Sequence, residues 1–305
     1  MFYVILDMEW DSVYHKLHKR FINQILQIGA VKLDENFNIT DIFDVTVKSS
    51  VSNRVSSRFT ELTGITKDMM LGGVPLNDAV KQYNNWLGDN TVTITWSNSD
   101  LYTIAENEKY LLKDTKFKIK KYLDLQKFIQ GELALLGHEC KSQISLADAA
   151  KLLGITTDNY DLHTAKDDSL LCAALLKKQY NEPAFNRLVK DTSDPEFYKR
   201  LYFKPYYLSK INDRLIDKKT LTFNCEKCQK RLKRLSKWRY HNNWFTANFV
   251  CENCGKKFVC RVSYKKTYDN LIVKRRILEP KLKQNKENDD AVQPVSATVQ
   301  RFKNR

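Results

Sequence analysis

The sequence predicts an α/β protein, a mixed sheet flanked by helices, followed by a small C-terminal β domain built around cysteines. Three observations lead there. Strand-forming runs open the chain, and helical patterns then alternate with further short strands up to about residue 180. Two Cys-x-x-Cys pairs, Cys225/Cys228 and Cys251/Cys254, stand among strand-like segments. The charge also divides: residues 1–180 hold 21 basic and 23 acidic side chains, whereas 221–280 hold 15 and 4.

The elements follow in order. FYVILDME, QILQIGAVKLD and NITDIFDVTVK alternate and are rich in strand formers, with a turn-like stretch at Asp34–Asn38, so they read as a meander. Ser57–Leu62 is a short helix, and Pro75–Leu87 carries apolar residues at helical spacing behind a starting proline. Thr91–Trp96 is a strand and Asp100–Leu112 a helix. Lys121–Leu125 is a last short strand before a helix, Ser145–Leu153 a serine-capped helix and Leu162–Lys178 a longer one. Residues 183–220 read as a polar connector, helical around Pro195–Ile211. The expected domains are thus 1–182, the connector, a basic β domain at 221–279 and a disordered, polar tail at 280–305.

Composition removes several classes. There is no apolar run of membrane-spanning length, so no membrane partner is expected. The opening MFYVILDMEW lacks a basic start and carries two acids, unlike a secretory signal, and the expected location is the cytosol. With seven cysteines, four of them in two close pairs, metal is a better reading than a disulfide framework. Cys140 and Cys172 fall in apolar helical patterns and read as core. The net charge is +15, concentrated near the C-terminus, which points to a polyanionic partner.

The carboxylates carry the chemistry. Asp7 and Glu9 sit two apart on a strand and so share one face, where their mutual repulsion raises both pKa values unless a cation lies between them. Asp100 follows the strand TVTITW at the end where α/β folds place their sites; it also suits a helix N-cap. In HTAKDD, Asp168 lies near the start of an apolar helix with His163 a turn earlier, where a histidine is suited to taking a proton from water; a cap and a surface histidine would give the same pattern. Four acids and a histidine fit hydrolysis of a phosphodiester with two hard cations, Mg²⁺ or Mn²⁺, held by carboxylate oxygens.

These residues, in their order and spacing, resemble the DEDDh 3′–5′ exonucleases, in particular the ERI-type and KapD-like branch. The resemblance covers about residues 1–180 and extends beyond the acids to QIGAVKLD, FTELTGITKDM, PLNDAVKQYNNWL, TWSNSD, YLDLQKF, SLADAAKLLGI and HTAKDDSLLCAALL. It implies an RNase H-like fold, Asp7, Glu9, Asp100 and Asp168 as metal-binding acids, and His163 as general base. It implies that Thr63 and its LTGI segment abut the terminal nucleotide, that the Met8 backbone lies near the terminal sugar, and that nucleoside 5′-monophosphates leave from a 3′ end. Two positions depart from the pattern. Ser97 stands where a glycine is common, and Trp10, where many relatives carry a small residue, could stack a base or narrow the pocket. Asp124 and Asp148 read as structural.

The cysteine pairs, separated by 22 residues, suit one tetrahedral structural Zn²⁺ in a zinc ribbon, with Cys260 and His241 as spare ligands. Between the pairs, Lys233, Arg234, Lys237 and Arg239 could contact phosphates, and Trp238 and Trp244 could stack unpaired bases or fill the small core. The expected function is a metal-dependent exonuclease acting on RNA 3′ ends in RNA processing. The alternatives are a DNA 3′–5′ exonuclease of the proofreading or repair type and a nuclease fold kept only for nucleic-acid binding. The sequence names no protein partner.

Overall fold

In the computed structural model, which describes residues 1–138, 140 and 142–280, the chain forms two compact units, the first spanning Met1–Phe203 and the second beginning at Lys204. The tail expected to be disordered lies outside the described residues, apart from Pro280.

The first unit is built on β1 (Phe2–His15), β2 (Arg20–Leu33) and β3 (Ile39–Lys48), an antiparallel meander. After α1 (Ser57–Thr63) and α2 (Lys67–Gly72), the short β4 (Val74–Pro75) leads into α3 (Leu76–Leu87). Strand β5 (Thr91–Thr95) then pairs parallel to β1, and α4 (Ser99–Tyr110) connects it to β6 (Lys121–Asp124), parallel to β5. Helices α5 (Leu125–Leu135), α6 (Leu146–Leu152), α7 (Ala165–Gln179) and α8 (Glu182–Leu188) come next, then β7 (Lys190–Asp191) and α9 (Pro195–Tyr202). The seven strands run in the order β4-β3-β2-β1-β5-β6-β7, a mixed sheet of RNase H-like exonuclease type.

Strand alternation splits the core into two layers. Tyr3, Ile5, Val92, Ile94 and Leu123 face a cluster supplied by α5 to α8, while Val4, Leu6, Met8, Ile28 and Ala30 face one supplied mainly by α3 and α4. Both layers are nearly closed to solvent, so β1 is fixed from two sides.

The structure departs from the sequence reading in two places. First, the β1–β2 pairing runs well past Glu9, to Tyr14 opposite Phe21 and His15 opposite Arg20. The polar and charged residues near this hairpin's tip hide the pattern, but α4 braces it: Glu106 accepts from the Asn23 N–H, and the Asn107 side chain donates to the Asn23 carbonyl. Second, residues 183–220, read as a partly helical connector, divide between the two units. Ala184, Phe185 and Leu201 bury into the first unit, and the Tyr102 hydroxyl donates to the Leu201 carbonyl; isolated apolar residues in a polar run suffice to dock it. Leu208 and Ile216 belong to the core of the second unit.

That unit contains β8 (Tyr206–Tyr207), β9 (Lys233–Arg234), β10 (Arg239–His241), β11 (Trp244–Val250), β12 (Lys257–Lys266) and β13 (Leu271–Leu278). Strands β10-β11-β12-β13 form an antiparallel sheet, with β8 pairing to β12 and β9 to β11. One face, with Phe245, Phe249, Phe258, Val262 and Tyr264, is buried under Phe223, Leu232, Leu208 and Ile216. Among the described residues no helix is long and apolar enough to cross a membrane.

Candidate active site

The site forms where β1 leaves the core. Alternation puts Asp7 and Glu9 on the face of Tyr3 and Ile5, toward α7, and turns Met8 into the opposite core layer. The Met8 backbone N–H then donates to the Asp100 carboxylate at 3.1 Å, so the strand itself holds the third acid. Asp100 sits in the first turn of α4 and is only 2% exposed.

Asp168 arrives on the first turn of α7, whose start is capped by the Thr164 hydroxyl accepting from the Asp167 N–H. What brings that helix close is Gly29, opposite Asp7 on β2. A β-carbon at Gly29 would lie 2.3 Å from the Ala165 carbonyl carbon and 2.4 Å from the Lys166 nitrogen, so only glycine admits this approach. Around it, the Gln27 side chain accepts from the Ala165 N–H at 3.4 Å and the Ser169 hydroxyl donates to the Gly29 carbonyl at 3.3 Å. In the sequence Gly29 is marked only as a lone glycine inside a strand pattern.

Ligand atoms of Asp7, Glu9 and Asp168 all lie within 4.8 Å of one another. Asp100 is outside that trio but close enough for its charge to act on Asp7 and Glu9. Burial, followed by the charges of Asp100, Glu9 and Asp168, holds the Asp7 carboxyl well above the usual range. Burial first, then Asp168 and Asp100, pushes Glu9 up to about 8. Burial also raises Asp100, to about 7, against the opposing Met8 hydrogen bond, and raises Asp168. Such a group of oxygen donors is costly when ionised and empty of cations, and hard divalent ions relieve that cost.

His163 is exposed, in the turn before α7, with φ at 74° in the left-handed region. Its backbone hydrogen-bonds to the Asp168 carboxylate, and its charge, like that bond, draws Asp168 down. The ring therefore stands beside the acids and outside the trio.

The other expected contacts are distributed differently. A β-bulge at Glu9/Trp10 turns Leu26 toward Phe59, Ile65 and Met70, which seats α1 beside the strand. Asp11 accepts from the Ser56 N–H at 2.7 Å and from its hydroxyl at 3.0 Å, pinning the start of that helix. Thr63 is buried at the end of α1, its hydroxyl committed to the Phe59 carbonyl and the Ile65 N–H. Trp10 is half-buried against the α3/α4 layer; strand parity puts it on Met8's face, so its indole does not lie over the carboxylates. Ser97 has φ at 78°, the conformation a glycine would take without strain. Asp124 caps α5 and Asp148 bonds to the capping Ser145, both structural roles.

In the second unit Cys225, Cys228, Cys251 and Cys254 bring their sulfurs within 4.8 Å of one another. The two turns that carry them are built alike. The Cys225 N–H donates to the Lys230 carbonyl and the Gln229 N–H to the Cys225 carbonyl, both at 2.8 Å; Cys251, Lys256 and Gly255 repeat the same two bonds at 2.8 Å. The Lys230 N–H, then the Cys254 thiol, draws Cys228 down to about 6, while the hydrogen bond with Cys228 pushes Cys254 up to about 12. Four sulfurs gathered in this way form a donor set suited to one tetrahedral soft-ligand ion. Cys260 is buried in the neighbouring core and His241 is exposed on β10; neither joins the four.

Of the residues expected to touch nucleic acid, Lys233, Arg234, Lys237 and Arg239 are exposed, and Lys233 is paired with Glu252 at 2.6 Å. Trp238 takes the core-filling place that the sequence left open beside base stacking. Its ring packs against Phe223 and Phe249 between the two core clusters, since a unit this small needs its bulky rings inside. Trp244 lies on the other face of the sheet, with the guanidiniums of Arg261 and Arg276 at 5.0 and 5.2 Å from its ring centre.

Comparison with known proteins bears on the first unit. Residues 4–176 match the family model RNase_T, described as exonuclease. Over 210 residues the chain is 27% identical to a DNA polymerase III PolC-type of Clostridium perfringens (strain 13 / Type A), a match taking in 69% of this chain and 13% of that protein. Among solved structures, cell-death related nuclease 4 (CRN-4) superposes with a TM-score of 0.51 and 21% identity, over 58% of this chain and 62% of that one. The nuclease domain of 3′hExo, a DEDDh family member bound to rAMP, gives a TM-score of 0.50 and 21% identity over 58% and 90%. The chain thus spans less than two thirds of CRN-4 and a small part of the polymerase.

Proposed function

The chain belongs to the exonuclease family described by RNase_T, and we propose that it is a metal-dependent 3′–5′ exonuclease that trims RNA 3′ ends and releases nucleoside 5′-monophosphates. The observation that carries this is the meeting of Asp7, Glu9 and Asp168 within 4.8 Å, with Asp100 pinned beside them by Met8. Carboxyls forced together and raised in pKa have little structural use; as seats for cations they have an evident one.

In this reading Asp7, Glu9, Asp100 and Asp168 hold two Mg²⁺ or Mn²⁺ ions. When bound, the ions supply Lewis acidity toward the attacking water and offset charge at the leaving oxygen. The chain's own contributions are positional. Gly29, Gln27 and Ser169 seat α7 so that Asp168 faces β1, and the backbone bond to Asp168 sets His163 at the edge of the site. There its imidazole takes the proton of the attacking water. The second unit holds one structural Zn²⁺ in its four cysteines and binds the nucleic acid through its basic residues.

RNA is favoured by the resemblance of the sequence segments to those of the ERI-type branch. A second reading, DNA as substrate, draws on the 27% identity to a DNA polymerase. Matched 3′-tailed RNA and DNA strands, 5′-labelled and followed over time with Mg²⁺ or Mn²⁺, decide between them. The expected result is an RNA ladder shortening one nucleotide at a time from the 3′ end, lost at least about 1,000-fold in Asp7→Asn. Internal cleavage, or an Asp7→Asn variant as active as the parent, would overturn the assignment; faster loss of the DNA would move the substrate to DNA.

A further inference from the structure

We propose that the open face of the second unit's sheet is a platform for single-stranded nucleic acid, with Trp244 as its stacking ring and Arg239, Arg261 and Arg276 as its phosphate clamp. This rests on the reading of the chain as acting on nucleic acid, and it adds the surface and the strandedness.

The register places the residues. Arg239 lies opposite Thr246, Thr246 opposite Arg261, and Arg261 opposite Arg276. Partners directly opposite share a face, so three arginines and a threonine form one row across four strands. The alternate residues Phe245, Ala247, Cys260 and Val262 are buried on the other side, which makes the row's face the outer one. With strands about 4.8 Å apart the row spans about 14 Å, room for several successive phosphates of an extended strand.

Two features make this more than scattered charge. The guanidiniums of Arg261 and Arg276 are held over one half-buried indole, which organises their donors before any ligand arrives. A second pairing of the same kind stands at the end of the face, where Lys265 lies over the Tyr207 ring at 5.8 Å. The four acids of residues 221–280 lie off this row: Glu226 and Glu252 in the cysteine turns, Asp269 in the β12–β13 turn, and Glu279 past β13. Two of them pair with lysines off the row, Glu252 with Lys233 at 2.6 Å and Glu279 with Lys256 at 3.9 Å.

Cations interleaved with rings on an open sheet suit a single strand, whose unpaired bases offer a stacking face that a duplex hides. A purely electrostatic partner, such as an anionic membrane or an acidic protein, would use the arginines that Trp244 organises and gain nothing from a stacking face.

The test uses the full chain carrying Asp7→Asn, so that the probe survives, and measures anisotropy of a labelled 20-nucleotide single-stranded RNA, its duplex, and anionic phosphatidylserine vesicles. Arg261→Ala with Arg276→Ala should weaken single-strand binding at least about tenfold and flatten the log–log salt slope by about 1.4, two contacts at roughly 0.7 each. Trp244→Ala should weaken it about tenfold with the salt slope unchanged, and Trp244→Phe, which keeps a ring in the fold, should restore it to within about threefold. Unchanged affinity and slope in the arginine pair, or equal losses toward duplex and vesicles, would overturn the platform. Loss of single-strand binding in these variants, beside a parent chain with Asp7 intact that hydrolyses neither RNA nor DNA, would uphold the platform and remove the exonuclease reading alone.

Discussion

The carboxylate site and the cysteine site are both groups of like donors brought within 4.8 Å, yet they are assembled in opposite ways. The acids come from β1 and the start of α7, positions up to 161 residues apart in sequence (Asp7 to Asp168), with Asp100 beside them at the start of α4, and each is set by tertiary packing. The cysteines come from two short turns with the same local hydrogen bonds, in a unit whose core is small. The first site is made by the fold; the second, with a metal bound, would help to make it. A site made by a fold can be emptied of metal and keep its shape, whereas one that substitutes for a core cannot.

The largest expected effect follows from that difference. Cys251→Ser should cost the second unit the bulk of a metal contribution on the order of 10 kcal/mol, leaving it unfolded. Differential scanning calorimetry should then lose one transition and retain that of Met1–Phe203, while metal analysis falls by one zinc per chain. Retention of both transitions would mean that the β10–β13 sheet folds on its apolar contacts and that the contrast is false.

The carboxylate site should instead break through packing. Gly29→Ala places a methyl 2.3 Å from the α7 backbone, and the helix must move. A shift of roughly 1 Å at Asp168 should cost about 100-fold in hydrolysis and about 2–3 kcal/mol in the first unit's stability, with the second unit's transition unmoved. Full activity in this variant would show that Asp168 tolerates displacement.

These two sites also differ in how far the sequence discloses them. Cys225, Cys228, Cys251 and Cys254 are read directly from spacing, because each turn is local and its chemistry lies within a few residues. Asp7 and Glu9 are half legible: parity says that they share a face, but no periodicity says that Asp100 and Asp168 meet them there. That convergence was available only through resemblance to a known family, since it depends on β5 pairing with β1 and on the clearance at Gly29. The strand and helix order was legible for the same local reasons as the cysteines, while the β1–β2 extension to His15 and Arg20 was not, because its residues near the tip are polar and charged. Among the aromatics, composition could not tell Trp238, packed in the core, from Trp244, which lies across from the Arg261 strand; only the register of β11, β12 and β13 separates them.

Acidity should sharpen the comparison next. In the first unit Glu9, raised to about 8, and Asp100, raised to about 7, hold protons in the folded state that the unfolded chain has already released above its ordinary values of 4.5 and 3.8. Folded pKa values above unfolded ones favour folding below the lower value and lose that advantage as pH rises through the higher, so the metal-free first unit should become less stable between about pH 4 and pH 8. A fall of at least about 5 °C in its Tm across that range, reversed by millimolar Mg²⁺ or Mn²⁺ at pH 8, is the expected outcome. A flat profile would mean that the acids are already relieved by groups of the chain itself.

The smallest effect lies inside the cysteine unit and tests whether its turns are interchangeable. Gln229 and Gly255 occupy the same place in the two turns, with φ at 57° and 69°, but only one is the residue that adopts this conformation without strain. A β-carbon at Gly255 would meet no atom within 4 Å, so the backbone preference should govern the substitution there. Gly255→Gln should therefore destabilise the zinc-loaded unit by about 1 kcal/mol. Gln229→Gly should gain about 0.5 kcal/mol, less than the mirror value because the Gln229 side chain also donates to the Glu226 carbonyl at 3.3 Å and because glycine loosens the unfolded chain. Opposite signs in chemical denaturation of the two variants would establish that each turn bears its own backbone cost, independent of the metal both share. Equal signs would mean that the ion dictates both conformations and leaves the residue no say.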